Sequence, residues 1–393
     1  MSRMRVAMVH SSFTVRGGAE RYIRDLTRGL LTRGHEVAVF CRPSPHAEPV
    51  DRHVGARLSE RAFRLPKLHK VVTHLADLLD PTGLRPRDLG DFAPDVVHVH
   101  NWQGLGILPV ARLSRAYPTC HSVHDMAICD PNNALGNLGR SGALDALLGL
   151  RSAWIGRRLR RTLLLFSAER NRALVRRRAR GGRRVPDRVV PLGVVAPGQG
   201  QRWPTGRRDT FLFLGALSPH KGIDLLLRAW EAGHAQIDGT LLIGGDGPLR
   251  AEVERVAGEL PSVRYLGYLD EAGKESALRQ AGWLVFPSQG HETFGLACAE
   301  ALIAGRPLIA SAVAAPPMAS GGSTLVFDSA EDLRRLLARA AHMPDPEYQT
   351  MSASAATDGG RLDWEDHVDA VIGVYESLLA ARSASPAREG FPR

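Results

Sequence analysis

A chain of 393 residues exceeds one ordinary hydrophobic core, and 44% hydrophobic residues is normal for a globular protein, so two α/β domains are expected. The four cysteines, Cys41, Cys120, Cys129 and Cys298, are scattered with no Cys-x-x-Cys pair, which excludes a zinc ribbon or disulfide framework and fits a reducing compartment. The net charge of +10 is local: between Arg151 and Arg184 stand thirteen arginines and one acid, Glu169, which leaves about −2 for the remainder, so one basic patch needs explaining.

Met1 to Arg5 leads directly into Val6-Ala7-Met8-Val9, too short for a signal peptide, and no apolar run approaches membrane-spanning length, so a cytoplasmic protein is expected. Residues 5–10 read as a buried strand and Ser11-Ser12-Phe13-Thr14-Val15-Arg16-Gly17-Gly18 as a glycine-ended loop. Residues 19–33 read as a helix, with Tyr22, Ile23, Leu26, Leu30 and Leu31 at helical spacing and Gly34 as its stop. With a second strand over 35–40, this order opens a doubly wound domain whose first turn suits phosphate, although a glycine pair more commonly serves only a tight turn. No Gly-x-Gly-x-x-Gly occurs, so nicotinamide or flavin binding is not supported.

Residues 43–89, rich in proline, arginine and histidine, read as a variable excursion with one helix over 68–79. Pro94-Asp95-Val96-Val97-His98-Val99-His100-Asn101 is a strand with polar residues at its carboxyl end, where open parallel sheets bind ligands. After a helix over 105–116, Thr119-Cys120-His121-Ser122-Val123-His124-Asp125 repeats the arrangement. A lone histidine at such a place is more often a structural hydrogen-bonder than a catalyst. Residues 125–142 form a long loop expected to carry specificity, and Cys129, with no base beside it, is expected to be buried.

Leu144, Leu147, Leu148, Trp154, Ile155 and Leu159 recur near helical spacing with Arg151, Arg157, Arg158, Arg160 and Arg161 on or beside that face. Such a cationic amphipathic segment suits an anionic membrane surface, with a merely solvated helix as the equal alternative. Nucleic acid is not expected, for want of interleaved aromatics or a binding motif. A strand over 162–167, a helix through 180 and Arg188-Val189-Val190-Pro191-Leu192-Gly193-Val194 follow, and residues 196–208 have the composition of a linker.

The second half opens with a strand over 210–215, then Leu217-Ser218-Pro219-His220-Lys221-Gly222 and a helix over 223–230; a lysine at such a turn can neutralise phosphate. A strand over 240–243, the turn Gly244-Gly245-Asp246-Gly247-Pro248 and a strand over 263–269 come next. Gly282-Trp283-Leu284-Val285-Phe286-Pro287-Ser288 is an apolar strand stopped by proline, and a nearly all-apolar helix is predicted from near Phe294 to Gly305. Glu292 then lies in the loop and Glu300 about two turns inside the helix. Glutamate rarely sits on so apolar an element without a partner, so a polar ligand along the helix start is expected, with the N–H groups of Thr293, Phe294, Gly295 and Leu296 facing an anion. An ordinary βαβ unit, with Glu292 solvated and Glu300 paired to an arginine, is the other reading. An amphipathic helix over 363–381 and a disordered tail over 383–393 close the chain.

The Glu-x7-Glu pattern around Phe294-Gly295 resembles the donor-binding motif of the retaining glycosyltransferases of family four, also called group one. Gly17-Gly18-Ala19-Glu20, His124-Asp125, Lys221-Gly222 and Gly244-Gly245-Asp246-Gly247-Pro248 match that family in order, over most of residues 4–381. The resemblance implies an α/β GT-B fold of two facing Rossmann-like domains: an acceptor-side domain over 1–195, a linker over 196–208, a nucleotide-sugar domain over 209–363, a helix over 364–382 crossing back to the first, and a tail over 383–393. It implies transfer of a sugar from a nucleoside diphosphate sugar to a hydroxyl of a glycan or lipid-linked acceptor, in polysaccharide, glycolipid or other cell-envelope glycan synthesis, with retention at the anomeric carbon.

By the same resemblance, His124, Glu292 and Lys221 are the catalytic candidates, and Asp125 orients the ring or the acceptor. Gly17, Gly18, Leu269, Glu271, Thr293, Phe294, Gly295, Leu296 and Glu300 line the donor, Glu300 at the ribose and Leu269 to Glu271 at the base. No Asp-x-Asp occurs, so no metal or other cofactor is expected. The chain departs from the family pattern at Ala216, where an arginine is expected, at Pro316-Pro317-Met318, where Pro-Glu is usual, and at Val195, in place of an aspartate. Those departures motivate an alternative, a degenerate member that binds a nucleotide sugar or a partner without turnover. A cytoplasmic location, with peripheral contact to the inner membrane face through the basic segment, completes the expectation.

Overall fold

The structure is a computed structural model that describes residues 3–11, 13, 17–44, 46–55, 57–58, 69–131, 142–178, 185–195, 203 and 206–384. They divide into two compact units, one built on Met1–Asn133, Gly139–Leu192 and Glu365–Arg393, the other on Gly193–Trp364.

The first unit is a seven-stranded sheet of β1 (Arg5–Val9), β2 (Glu36–Cys41), β3 (Asp51–His53), β4 (Val96–Val99), β5 (Thr119–Ser122), β6 (Thr162–Phe166) and β7 (Asp187–Val189), in the order β3-β2-β1-β4-β5-β6-β7. All its pairings are parallel. Central strands buried on both faces require continuous apolar runs, and Val6-Ala7-Met8-Val9 and Val96-Val97 supply them. The short edge strand β3 was not expected; it lies inside the excursion and is held by Arg24, whose guanidinium bonds the Asp51 carboxylate.

The second unit has six parallel strands, β8 (Arg207–Leu214), β9 (Thr240–Gly244), β10 (Val263–Gly267), β11 (Ala281–Phe286), β12 (Leu308–Ser311) and β13 (Thr324–Phe327), in the order β10-β9-β8-β11-β12-β13. The period of two along β8 sends Phe211 and Phe213 to one core with Trp230 and Trp283, and Leu212 to the other with Leu284, Cys298 and Leu302.

Each sheet reverses its winding at one place, between β1 and β4 in the first and between β8 and β11 in the second. Crevices at the carboxyl ends of such strand pairs are where open α/β sheets bind ligands.

Several boundaries shift. The helix expected from near Phe294 spans Leu296–Ile303, because Gly295 at φ +87° takes the left-handed cap conformation that L residues avoid. β8 begins at Arg207, inside the expected linker; residues 196–202, 204 and 205 of that linker lie outside the described residues. The last helix spans Trp364–Ala384, two residues past its expected end, and residues 385–393 of the expected tail lie outside the described residues. It belongs to the first unit from Glu365 onward, where Asp369 bonds Arg33 Nε at 2.7 Å and Tyr375 is fully buried.

Candidate active site

In the second unit the reversal point places the loop after β8 beside the loop after β11. Lys221 Nζ lies 2.5 Å from Glu292 Oε1, and Ser288 Oγ lies 2.7 Å from the same oxygen and 3.1 Å from the His220 carbonyl. The two loops are further joined by Gln289 N donating to His220 O at 2.8 Å. Gly222 makes the junction possible: its φ is +72°, and a Cβ there would overlap the Pro287 carbonyl.

Glu300 is buried, at 3% exposure, and its Oε1 lies 3.6 Å from Lys274 Nζ, which also pairs with Glu271 at 2.7 Å. Lys274 therefore ties the segment Leu269 to Glu271 to Glu300, a cation beside the buried carboxylate. The sequence reading missed Lys274; its signal was the Glu271-x-x-Lys274 spacing at the start of the helix Glu271–Gln280. Asp270 caps that helix, accepting from Gly273 N at 2.8 Å.

The Cys298 thiol, fully buried at the start of Leu296–Ile303, is pushed well up by burial, and then by Glu292 and Glu300 against the opposing charge of Lys221. The three groups thus surround one helix start. First-turn N–H groups belong to Leu296, Ala297 and Cys298, a set that starts three residues later than expected, and Gly295 brings no side-chain cap to them. Phe294 is 8% exposed and packs as an apolar residue. Ala216 is exposed, and Met318 packs against the cluster containing Cys298 and Leu302, so neither departure from the family pattern places a charge here.

In the first unit, Gly17 caps the helix Gly18–Thr32, and its N–H donates to Glu20 Oε2 at 3.0 Å, while Glu20 Oε1 lies 3.3 Å from His10 Nε2. Burial acts to raise the Glu20 pKa, but the bonds from His10 and the backbone outweigh it and hold the carboxyl below its ordinary range. Residues 14–16 of this loop lie outside the described residues.

His98 stands on β4, His100 directly follows that strand, and His124 follows β5. His98 Nδ1 is 2.7 Å from Tyr375 Oη and its Nε2 is 2.8 Å from Ser122 Oγ. His100 Nδ1 is 3.2 Å from His124 Nε2, and the two rings stack at 5.5 Å and 18°. Tyr22 packs edge-on against His124 at 5.1 Å and its hydroxyl meets His367 Nε2 at 2.9 Å. Desolvation, with the charges of His121, His10 and His367, brings the His124 pKa down to about 3. Burial brings His121 and His367 down to about 4 and places His98 and His100 well below the ordinary histidine value.

Asp125 Oδ1 accepts from Ala127 N at 2.9 Å, the local turn that a short carboxylate closes most readily, and burial raises its pKa. His124 Nε2 meets His100, just past the neighbouring strand. Cys129 is buried as expected, and residues 132–141 of the specificity loop lie outside the described residues.

The basic segment is not the single amphipathic face expected. In the helix Gly142–Leu159, Ile155 and Leu159 are core residues, whereas Leu147 and Leu150 are 62% and 70% exposed. Arg151 bonds the Ala127 carbonyl at 2.8 Å and lies over the Trp102 ring, and Arg172 and Arg176 pair with Asp187. Arg157, Arg158, Arg160 and Arg161 are exposed, and residues 179–184 lie outside the described residues. Among the described residues no helix is long and apolar enough to cross a membrane, and no group of three or more His, Cys, Asp or Glu is placed to hold a metal ion.

Comparison with known proteins agrees with this arrangement. The family model described as Glycosyltransferase Family 4 matches residues 16–194, and the model described as Glycosyl transferases group 1 matches residues 208–342. Glycogen synthase of Mycobacterium tuberculosis is 27% identical, with 99% of this chain and 97% of that protein covered. Phosphatidyl-myo-inositol mannosyltransferase of Mycolicibacterium smegmatis is 27% identical, with 96% and 95% covered. Among solved structures, sucrose-phosphate synthase of Thermosynechococcus elongatus superposes with a TM-score of 0.71 at 20% identity, covering 96% of this chain and all of that one. The Anabaena protein HepE in complex with UDP-glucose gives 0.65 at 15%, covering 98% and 100%. Two parallel sheets, and one family model matched in each unit, lead to one assignment: the chain is a GT-B enzyme and belongs to the glycosyltransferases of family 4, group 1.

Proposed function

We propose that the chain transfers a sugar from a nucleoside diphosphate sugar to a hydroxyl of a glycan or lipid-linked acceptor, with retention at the anomeric carbon. The observation that carries this is the Lys221–Glu292 pair at 2.5 Å beside the start of Leu296–Ile303, with Glu300 and Lys274 behind it. A departing diphosphate needs its charge held, and a lysine next to a helix N-terminus offers one cation and aligned N–H dipoles for that purpose. Glu292 grips the donor sugar, Glu300 the ribose hydroxyls, and the Leu269 to Glu271 segment the base. Lys274 supplies the second cation of this region, where Ala216 supplies none.

From the first unit, the reading assigns His124 to the hydroxyls and reactive end of the sugar and the Gly17-Gly18 loop to the diphosphate. The bond from the anomeric carbon to the phosphate oxygen breaks, and the acceptor oxygen bonds that carbon on the same face. The leaving phosphate oxygen takes the acceptor proton, so the chemistry calls for neither a protein nucleophile nor a metal. In HepE the complexed donor is UDP-glucose, which supports a nucleotide sugar here without naming the base.

The test is release of nucleoside diphosphate from UDP-, GDP- or ADP-sugars in the presence of acceptor. Release that depends on Glu292 supports the reading, and silence across the panel would return the chain to the non-catalytic alternative. Products in polysaccharide, glycolipid or other cell-envelope glycan synthesis fit a protein that works at the inner face of the cytoplasmic membrane. The exposed Arg157, Arg158, Arg160 and Arg161, near exposed Leu147 and Leu150, support that location. Cosedimentation with anionic liposomes that survived neutralising all four arginines would remove it.

A further inference from the structure

We propose that His100 is a positioning residue that sets the ring plane and the tautomer of His124 for the transfer reaction. The inference rests on the reading of His124 as the sugar-contacting histidine, and adds a residue that reading does not contain.

The geometry comes from the strand register. β4 and β5 pair in parallel with Val99 opposite His121, so the first turns beyond each strand bring His100 and His124 together. Between the Nδ1 of one neutral imidazole and the Nε2 of the other, 3.2 Å apart, one nitrogen must carry the proton and the other must accept it. Choosing the tautomer of His100 therefore chooses that of His124. Both rings are buried, which disfavours the charged form of each, so the bond is one between neutral rings.

His100 is itself held. Its ring lies 4.1 Å from that of His98, which is pinned at both nitrogens by Tyr375 and Ser122. Its Nε2 is buried and has no partner, so the Nδ1 bond to His124 is the polar contact that ring makes. Leaving a buried imidazole nitrogen unsatisfied destabilises the fold, because its desolvation is not repaid. A purely structural role would be filled more stably by an apolar ring, which supports a functional reason for histidine at this position. Tyr22, tethered by His367, packs edge-on against both His100 and His124.

The experiment compares His100→Phe, which keeps a flat ring without nitrogens, with His100→Asn, whose amide reaches the Nδ1 position. Two readouts are taken: 15N shifts of the His124 ring in histidine-labelled protein, and kcat and KM for whichever of UDP-glucose, GDP-mannose or ADP-glucose is turned over. The expected result is a single neutral His124 tautomer in the wild type, a mixture in His100→Phe with kcat down about 10- to 100-fold at little-changed KM, and recovery of both readouts in His100→Asn. An unchanged single tautomer in a folded His100→Phe overturns the proposal, whatever the activity. Full activity in His124→Ala overturns the underlying reading instead, whereas an inactive His124→Ala beside a fully active His100→Phe overturns this inference alone.

Discussion

Lys221 and Glu292, 71 positions apart in the chain, meet at 2.5 Å across the reversal point of the second sheet. Each stands just past the carboxyl end of one of the two strands at which the winding changes direction. The pair is partly open, with 27% and 18% of the two side chains exposed, so a ligand reaches it.

Glu292→Ala removes the group proposed to hold the donor sugar, and Lys221→Met removes the charge proposed to hold the leaving group. Each is expected to lower kcat/KM by at least about 100-fold, equivalent to about 2.7 kcal/mol of transition-state stabilisation, with the melting temperature within a few degrees of wild type. Steady-state kinetics of the folded variants checks this. Wild-type rates in Glu292→Ala would remove that residue from the mechanism.

Lys274 bridges Glu271 and Glu300 behind the helix start. Its replacement by alanine leaves the Glu300 carboxylate buried without that cation, and is expected to raise the donor KM about tenfold while kcat changes less than threefold. A tenfold weaker donor corresponds to about 1.4 kcal/mol. The same variant should reduce the thermal shift that a tight nucleoside diphosphate produces, since that shift comes from binding to the native state. An unaltered KM and thermal shift would show that Lys274 acts only on the fold.

Stability is expected to fall on acidification below pH 6.5. His121 and His367, at about 4, and His124, at about 3, bind protons less readily folded than unfolded, where the value is near 6.5. Above pH 6.5 both states hold these rings neutral, and the full stability is present. As pH falls from 6.5 toward 4 the unfolded chain gains protons first, and each histidine removes up to about 1.4 kcal/mol per pH unit. Urea unfolding of the first unit's tryptophan signal at pH 7.5, 6 and 5 measures the slope, and a midpoint constant over that range would contradict the desolvated cluster.

Gly222→Ala is expected to cost about 1–3 kcal/mol, because the left-handed φ of +72° is strained for alanine and its Cβ meets the Pro287 carbonyl. Since Gly222 adjoins Lys221, the same change should weaken donor binding. An equally stable variant with unaltered donor KM would show that the two loops adjust freely.

Much of this molecule is legible in one dimension. Apolar runs such as Val6-Ala7-Met8-Val9 and Trp283-Leu284-Val285-Phe286 can only be strands buried on both faces, and the helices between them force parallel pairing. Glu300 on an apolar helix already demanded a partner. The exposed and buried faces of Gly142–Leu159 were misread because that helix packs beside Ile107–Ala116, and periodicity alone cannot tell which of two apolar edges a neighbour covers.

The sequence by itself determined the two parallel sheets and the strand ends at which Lys221, Glu292, His100 and His124 stand, because the periods of side-chain burial and the breaks at glycine and proline are local properties. Only the tertiary structure decided which of those groups meet: His124 with His100, Lys221 with Glu292, and Glu300 with Lys274. The reason is register, since the neighbours of a side chain at the end of a parallel strand come from another strand tens of residues away, and no local pattern records which residue lies opposite.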